Sequence, residues 1–179
     1  MATRRPPWYV PYQTTNTEYG FFISHVQDDA KNVKRLKQEL EQQSLSSNDP
    51  LKCFLDIDDW PLGRVSMEVI REYLLRSQFM VAWITPSYLQ NTRGWIWMEL
   101  ASASLIELSM NRDRLDTLAP FIVPIFRGVT VSDVERTPWL EFWLQKMVQP
   151  NQNTSIPKLA ALLISLRQQE VKRRVELGL

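Results

Sequence analysis

Residues 79–85 read Phe-Met-Val-Ala-Trp-Ile-Thr, and this almost entirely apolar stretch decides the fold. A strand exposed on one face alternates apolar and polar residues, whereas a strand buried on both faces is apolar along its length. Shorter runs of the same kind stand at residues 19–24, 52–57 and 121–126. The sequence therefore predicts strands of the type that lies inside a sheet covered on both sides.

Segments with helical spacing of their apolar residues separate and follow these strands. They are residues 28–43, 66–76, 95–110 and a closing segment, 157–176. Strands that alternate with helices predict a parallel sheet with right-handed crossovers. We therefore predict an α/β fold, a flavodoxin-like three-layer domain whose mainly parallel central sheet has four or five strands flanked by helices. The residues expected on adjacent buried strands are Ile23, Phe54, Val81 and Val123.

Length and proline content predict the domain organisation. A chain of 179 residues suits one core and leaves little room for a second. Residues 1–18 form a predicted N-terminal Pro-rich arm, since prolines at positions 6, 7 and 11 prevent a regular element there. Residues 19–179 form a predicted single domain that includes the C-terminal helices. In this domain, Ser132 to Glu135 match a helix capping box, and the basic residues 172–174 read as a solvated face.

Composition excludes several classes of protein. The formal net charge of +1 gives no electrostatic footprint for nucleic-acid binding. Cys53 is the only cysteine and His25 the only histidine, which excludes an internal disulfide and metal centres built from several Cys or His ligands. Neither a signal-peptide pattern nor an apolar run of about 18 residues occurs, so we expect a cytoplasmic protein with no membrane partner.

The predicted topology also selects the loops that should carry function. Ligands of doubly wound sheets bind outside the carboxyl ends of the strands. The loops at that edge are residues 24–29, 56–65 and 85–99. The glycine motifs that cradle phosphates are absent from them. Asp56, Asp58 and Asp59 could form an acidic metal cluster, but polar residues beside a strand end account for them better, and we expect no metal.

The last of these loops leads into a tryptophan-rich helical segment. Trp95 and Glu99 are four residues apart, which puts both side chains on one face of a helix. A carboxylate among apolar neighbours is either a surface group or a group placed in a cleft, and spacing alone favours the surface. The tryptophans predicted to be in the core are Trp83, Trp97 and Trp139. Trp60 fits an assembly or substrate surface as well as it fits the core.

An ordered set of segments resembles the TIR domain, the Toll/interleukin-1 receptor-like family. The segments are Phe21-Phe22-Ile23-Ser24-His25, Phe54-Leu55-Asp56 with the loop through Gly63, and Trp95-x-x-x-Glu99-Leu100. Residues 85–89 and 122–125 are similar to the exit of the family's third strand and to its fourth strand. The resemblance covers residues 19–148, and the order of the segments makes it specific although each one alone is weak.

The resemblance implies one of two functions. The first is an enzyme that cleaves the nicotinamide–ribose bond of NAD⁺, as a hydrolase or a cyclase, with NAD⁺ as substrate and no cofactor. Glu99 of the W-x-x-x-E pattern is then catalytic, and Trp95 lines the nicotinamide side. The residues implied to frame the substrate are Ser24, His25, Asp56, Trp60 and Gly63. The second function is a non-catalytic scaffold that acts by homotypic protein–protein contact.

Family analogy further implies self-association or contact with other TIR domains, and a setting in immune or antiphage defence. One departure concerns the residues after Ser24, where His25, Val26 and Gln27 replace the aromatic and basic residues often found in the family's enzymes. The contacts to the diphosphate of NAD⁺ are therefore unassigned. For His25, a substrate contact and a loop residue that closes the first strand are both open.

Overall fold

A parallel sheet forms the centre of the molecule, with strands β1 (Tyr19–Ser24), β2 (Cys53–Leu55), β3 (Ser77–Ile84) and β4 (Ile122–Phe126). These four strands lie in the order β2-β1-β3-β4, and every neighbouring pair is parallel. The computed structural model describes residues 17–46, 49–55, 66–91, 94–110, 120–130, 132–133, 136–137 and 154–176. The predicted parallel sheet and its flavodoxin-like order are confirmed, and no fifth strand occurs within these ranges.

The register of the sheet tests the strand prediction residue by residue. Ile23 lies beside Val81, and Val81 lies beside Val123. Phe54 pairs with Phe22 of β1. The four predicted residues thus lie on adjacent strands. Val123 is half-buried while the others are buried, in keeping with the position of β4 at one end of the strand order.

The helices match the predicted segments with small shifts. In the described residues they are α1 (Ala30–Ser46), α2 (Ser66–Leu75), α3 (Pro86–Gln90), α4 (Trp95–Met110) and α5 (Ile156–Glu176). A 3-10 turn at Gln27–Asp29 precedes α1, so this helix begins at Ala30 instead of Asp28. The short α3 is an addition that the apolar spacing did not predict.

Helices cover both faces of the sheet. Helices α1 and α5 pack against one face, and α2 and α4 pack against the other. Neighbouring strand residues point to opposite faces, so Phe21 contributes to the first layer of core and Phe22 to the second. This arrangement gives the three layers that the sequence predicts, and it leaves the carboxyl ends of the strands as the edge where α3 and the start of α4 lie.

One charged residue of α5 lies in a different environment from the one predicted for it. Arg174 was expected on a solvated face, but its side chain is buried. Its guanidinium donates to the backbone oxygens of Gln78 at 2.8 Å and Pro120 at 2.5 Å, and its central carbon lies 4.2 Å from the Phe79 ring centroid. Carbonyls near the amino ends of β3 and β4 therefore receive donors from α5, which explains why a charge is tolerated there. Lys172 is exposed, as predicted.

Thr130 and Asp133 form a capping box after β4 that the sequence analysis did not predict. Thr130 and Asp133 bond reciprocally: the Asp133 amide donates to Thr130 Oγ1 at 3.2 Å, and the Thr130 amide donates to Asp133 Oδ2 at 2.8 Å. This is the pattern proposed for Ser132 and Glu135, with Thr130 as the cap. The Thr130 amide and hydroxyl that bond this carboxylate lower the pKa of Asp133. The capping box of Ser132 and Glu135 stays a prediction, because Glu135 lies outside the described residues.

The described chain begins just before β1. Glu18 forms ion pairs with Arg76 and with Lys52, the latter at 3.3 Å, beside the amino ends of the strands. Residues 1–16 of the predicted arm lie outside the described residues. Among the helices described, none combines the length and the apolar character that crossing a bilayer requires.

Candidate active site

The ends of β1 and β3 meet at the point where the strand order reverses. From β1 the chain moves to β2 on one side, whereas β3 and β4 lie on the other side. Ser24 is the last residue of β1 and pairs with Ala82 of β3. In doubly wound sheets this reversal opens a crevice at the carboxyl ends of the strands, and ligands bind there.

Helix α3 covers this edge because local signals start it directly after β3. Thr85 is its N-cap and accepts from the Tyr88 amide at 3.2 Å, while Pro86 occupies a first-turn position. The Thr85 hydroxyl also donates to Asp29 Oδ2 at 2.7 Å. Thr85 thereby joins the turn after β1 to the start of α3. The cap residue and the proline are signals that the sequence contains, but a helix of five residues is too short for the spacing of its apolar residues to predict it.

Tyr88 connects α3 to the end of β1. Its hydroxyl lies 3.2 Å from Ser24 Oγ, and both side chains are buried. Burial raises the pKa of Tyr88 far above its ordinary value of 10.0; the hydrogen bond with Ser24 lowers it, and the charge of Glu99 raises it. The phenol is therefore protonated across the physiological range. The charge of Glu99 therefore acts on the Tyr88 phenol, which bonds to Ser24.

Glu99 occupies a core position of α4. Its side chain is 4% exposed, and the same buried stripe of the helix contains Ile96, Leu100 and Ala103. The surface position favoured by spacing alone was wrong, because Glu99 falls on the helix face that packs on the sheet. Buried carboxylates are uncommon, and one beside a strand-end crevice is a candidate for chemistry. Of the predicted site residues, Ser24 bonds to Tyr88 directly, and Glu99 acts on the same phenol through its charge.

Trp95 begins α4 on the solvent side. It is 50% exposed, so the pair Trp95 and Glu99 extends from the surface into the interior. Gly94 precedes it with a φ of +100°, a conformation that side chains disfavour, which fixes where the helix starts. Trp97 is 53% exposed, so its predicted core position was wrong, whereas the predicted burial of Trp83 is confirmed.

Of the other residues predicted to frame the substrate, the structure describes only His25. His25 directly follows Ser24 and is buried at the end of β1. Asp56, Trp60 and Gly63 of the second loop lie outside the described residues, as do Asp58, Asp59 and Trp139. Within the part of the chain that the structure describes, no three metal-ligating side chains come together.

Tyr88 is the functional candidate that sequence reasoning missed. It stands in the segment 85–89 that supported the family resemblance, but nothing in that segment alone assigns it a role. The cap-and-proline signal at Thr85 could have placed it on a short helix, pointing at the end of β1. Its proximity to Glu99 depends on the tertiary fold.

Comparison with protein families and sequences gives an independent view of the chain. A family model described as TIR domain matches residues 21–154. A curated relative, the NAD(+) hydrolase TirS of Staphylococcus aureus (strain MSSA476), is 26% identical over 118 residues, which are 65% of this chain and 37% of TirS. The chain thus spans just over a third of the length of this relative.

Solved structures share the fold. The TIR domains of the activated Roq1 resistosome, a complex that recognises the pathogen effector XopQ, superpose with a TM-score of 0.56 at 16% identity, covering 86% of this chain and 99% of that chain. A metazoan TIR-STING receptor from C. gigas gives a TM-score of 0.50 at 21% identity, covering 81% of this chain and 45% of that chain. At these identities the likeness concerns the fold.

Proposed function

The chain belongs to the TIR domain family, and from that premise we propose that it cleaves the nicotinamide–ribose bond of NAD⁺. The observation that carries the proposal is the burial of the Glu99 carboxylate, whose charge acts on the Tyr88 phenol that bonds to Ser24 at the carboxyl end of β1. The relative named NAD(+) hydrolase TirS supports the same reaction class. Cys53 is the only cysteine of the chain and is buried, so no disulfide forms within the chain, which fits a reducing compartment such as the cytoplasm.

The reaction needs little from the protein. The bond between ribose C1′ and the nicotinamide nitrogen breaks, and its electron pair goes to the nitrogen, so a cationic ring leaves as neutral nicotinamide. A leaving group of this kind requires no general acid, unlike the sugar oxygen in ordinary glycosidases. Water then attacks C1′ and loses a proton to give ADP-ribose, or a nucleophile within the ADP-ribosyl group closes a cyclic product.

Each residue then has a role that its position allows. The Glu99 carboxylate stabilises the positive charge that develops on the ribose, and it does so strongly because it lies in a poorly hydrated site. Trp95, at the solvent edge of α4, stacks on the cationic nicotinamide ring. Tyr88 and Ser24 supply neutral hydroxyls beside the charge. His25, Asp56, Trp60 and Gly63 are proposed to frame the rest of the substrate.

The direct test is to incubate purified protein with NAD⁺ over a range of protein concentrations and to identify products by mass spectrometry. We expect free nicotinamide together with ADP-ribose or a cyclic form. Glu99→Gln keeps the size of the side chain but removes the charge, and should slow cleavage by about 10²-fold or more. The folded variant should be at least as stable as the wild type, because a buried charge has been removed.

The same helix offers a matched control. Glu107 is also 4% exposed on the buried side of α4, but its carboxylate bonds to backbone amides instead of facing the strand-end crevice. Glu107→Gln should therefore cleave NAD⁺ at the wild-type rate. Equal losses in Glu99→Gln and Glu107→Gln would reassign Glu99 to a structural role. Absence of cleavage by the wild type at every concentration would overturn the proposed enzyme.

A non-catalytic scaffold is the second candidate. The observation that favours it is a set of exposed tryptophan and leucine side chains on α4, which suits contact between proteins. The Roq1 TIR domains belong to an assembly called a resistosome, so self-association or contact with other TIR domains fits the family. Either function would place the protein in immune or antiphage defence signalling. Detection of NAD⁺ cleavage decides between the two.

A further inference from the structure

A hydrogen bond at the carboxyl edge of the sheet joins two segments that are far apart in the sequence. Thr85 Oγ1 donates to Asp29 Oδ2 at 2.7 Å, and Asp29 lies in the 3-10 turn that follows β1. The Asp29 amide donates to the backbone oxygen of Val26 at 2.9 Å, which holds the backbone of Asp29 in that turn. The turn after β1 is therefore tied to the residue that starts α3.

The chemistry of the two side chains fixes the direction of this bond. A carboxylate only accepts hydrogen bonds, whereas a threonine hydroxyl has one proton to donate and lone pairs that accept. Thr85 therefore gives its proton to Asp29, and its lone pairs accept from the Tyr88 amide at 3.2 Å. Asp29 thus orients the hydroxyl that caps α3.

The Tyr88 amide depends on that cap. The first amides of a helix have no partner within the helix, and Tyr88 is the third residue of α3. The backbone oxygen of Ile84, four residues earlier, already accepts from the amide of Arg127 at 2.8 Å. The place of Tyr88 on α3, and with it the contact of 3.2 Å between its phenol oxygen and Ser24 Oγ, therefore depends on the hydroxyl that Asp29 orients.

We propose that Asp29 is a positioning residue for the cleavage of NAD⁺: acting through Thr85, it holds the Tyr88 phenol in place against Ser24. This inference rests on the proposed function, in which that phenol is one of the neutral hydroxyls of the site. A misplaced group at a reacting centre slows the chemical step, and losing an interaction made only in the transition state lowers kcat without raising KM. We therefore expect the loss of Asp29 to act on kcat.

The first measurement needs no substrate. Hydrogen exchange of the Tyr88 amide, followed by NMR, should be about tenfold faster in Asp29→Ala than in the wild type, because the acceptor of that amide has lost its orientation. Asp29→Asn keeps an acceptor oxygen and should exchange within about threefold of the wild type. Asp28→Ala, at the exposed neighbouring carboxylate, is the matched control and should exchange like the wild type. Equal exchange in Asp29→Ala and the wild type would overturn the inference.

The second measurement is steady-state kinetics with NAD⁺. Asp29→Ala should lower kcat about tenfold and leave KM within about twofold, and Asp29→Asn should restore most of the rate. In a Tyr88→Phe background, Asp29→Ala should lower kcat no further, since it acts through a phenol that is already gone. Losses that multiply would contradict this route, and so would a folded Asp29→Ala chain with the wild-type kcat.

A substitution at Thr85 keeps the test decisive if Asp29→Ala fails to fold. Thr85→Val removes the hydroxyl but keeps the branched shape, so it should show the same faster exchange and lower kcat, whereas Thr85→Ser keeps the hydroxyl and should show neither. The two measurements also separate this inference from the proposed function. A wild type that never cleaves NAD⁺ overturns the enzyme and with it the effect on kcat, while the exchange rates still decide whether Asp29 holds Tyr88.

Discussion

The hydroxyls of Ser24 and Tyr88 form a buried pair whose contribution can be measured directly. A typical buried hydrogen bond stabilises a fold by about 1 kcal/mol. We expect Ser24→Ala and Tyr88→Phe each to lower the free energy of unfolding by about 1 kcal/mol. The double variant should lose less than the sum, with a coupling of about 0.5–1 kcal/mol in a double-mutant cycle by urea denaturation. Strict additivity would show that the pair contributes nothing.

The same phenol predicts an alkaline limit to stability. The pKa of Tyr88 is raised by burial above 10.0, its ordinary value in an unfolded chain. Above pH ~10 the unfolded state therefore releases a proton that the folded state keeps, and the free energy of unfolding falls as the pH rises. Below pH ~10 this residue has no effect on the pH dependence. Urea melts between pH 9 and 11 should show a shallower decline for Tyr88→Phe than for the wild type.

At the scale of elements, Glu107 joins α4 to the start of β4. One oxygen, Oε2, accepts from the amides of Phe121 at 2.9 Å and Ile122 at 3.0 Å. Both bonds go to a single oxygen, so the carbonyl of a glutamine can replace them. We therefore expect the position of this helix relative to the sheet to depend on a hydrogen-bond acceptor at this position and not on its negative charge.

Two substitutions of Glu107 distinguish the need for a hydrogen-bond acceptor from the need for a negative charge. Glu107→Ala leaves two buried amides without this acceptor and should lower the free energy of unfolding by about 3 kcal/mol. Glu107→Gln should stay within about 1 kcal/mol of the wild type. Chemical denaturation of the two variants measures the difference. Similar losses in both would mean that the negative charge itself is required.

At the scale of the whole molecule, Arg174 fastens α5 across the sheet. Arg174→Met keeps the apolar stem but removes the donors to the carbonyls of Gln78 and Pro120. Each lost partner of a buried carbonyl costs about 1–3 kcal/mol, and two are lost, so we expect the free energy of unfolding to fall by about 2–6 kcal/mol.

The neighbouring residue provides the comparison for that loss. Arg173 pairs with Glu170 on the same helix at 2.9 Å and is partly exposed. Such a pair contributes little, so Arg173→Met should change the free energy of unfolding by about 0.5 kcal/mol or less. If the two variants melt alike, the contacts of Arg174 do not hold α5 in place.

The spacing of apolar residues predicted the architecture, because a strand that is buried on both faces of a sheet is apolar along its whole length. The predicted strand at 79–85 and the predicted helix at 95–110 are long enough for their apolar patterns to be clear, and the structure contains both elements. Whether an individual side chain lies in the core or at the surface was harder to predict. Glu99, Trp97 and Arg174 were misplaced because a residue's polarity is a poor guide when a charge is buried for a purpose or an apolar face is left uncovered.

The candidate site was predictable only in part. Ser24, His25, Trp95 and Glu99 were named because family resemblance marks them, whereas the link through Tyr88 required three-dimensional proximity across more than sixty residues. A hydrogen bond between residues 24 and 88 depends on how β1, β3 and α3 meet, and no local pattern records that meeting. The proposed contributions of the second loop stay predictions.

The contacts of Arg174 also bear on how the chain folds as it is made. This residue follows Gln78 by 96 positions and Pro120 by 54. Domains fold during synthesis from the amino terminus onward. Strands β3 and β4 are therefore synthesised before the side chain that bonds to carbonyls at and near their amino ends, and the sheet face that α5 covers is open to solvent during that interval. We therefore expect the nascent chain to expose an apolar sheet face until α5 has been synthesised, which is a stage at which a chaperone can bind it.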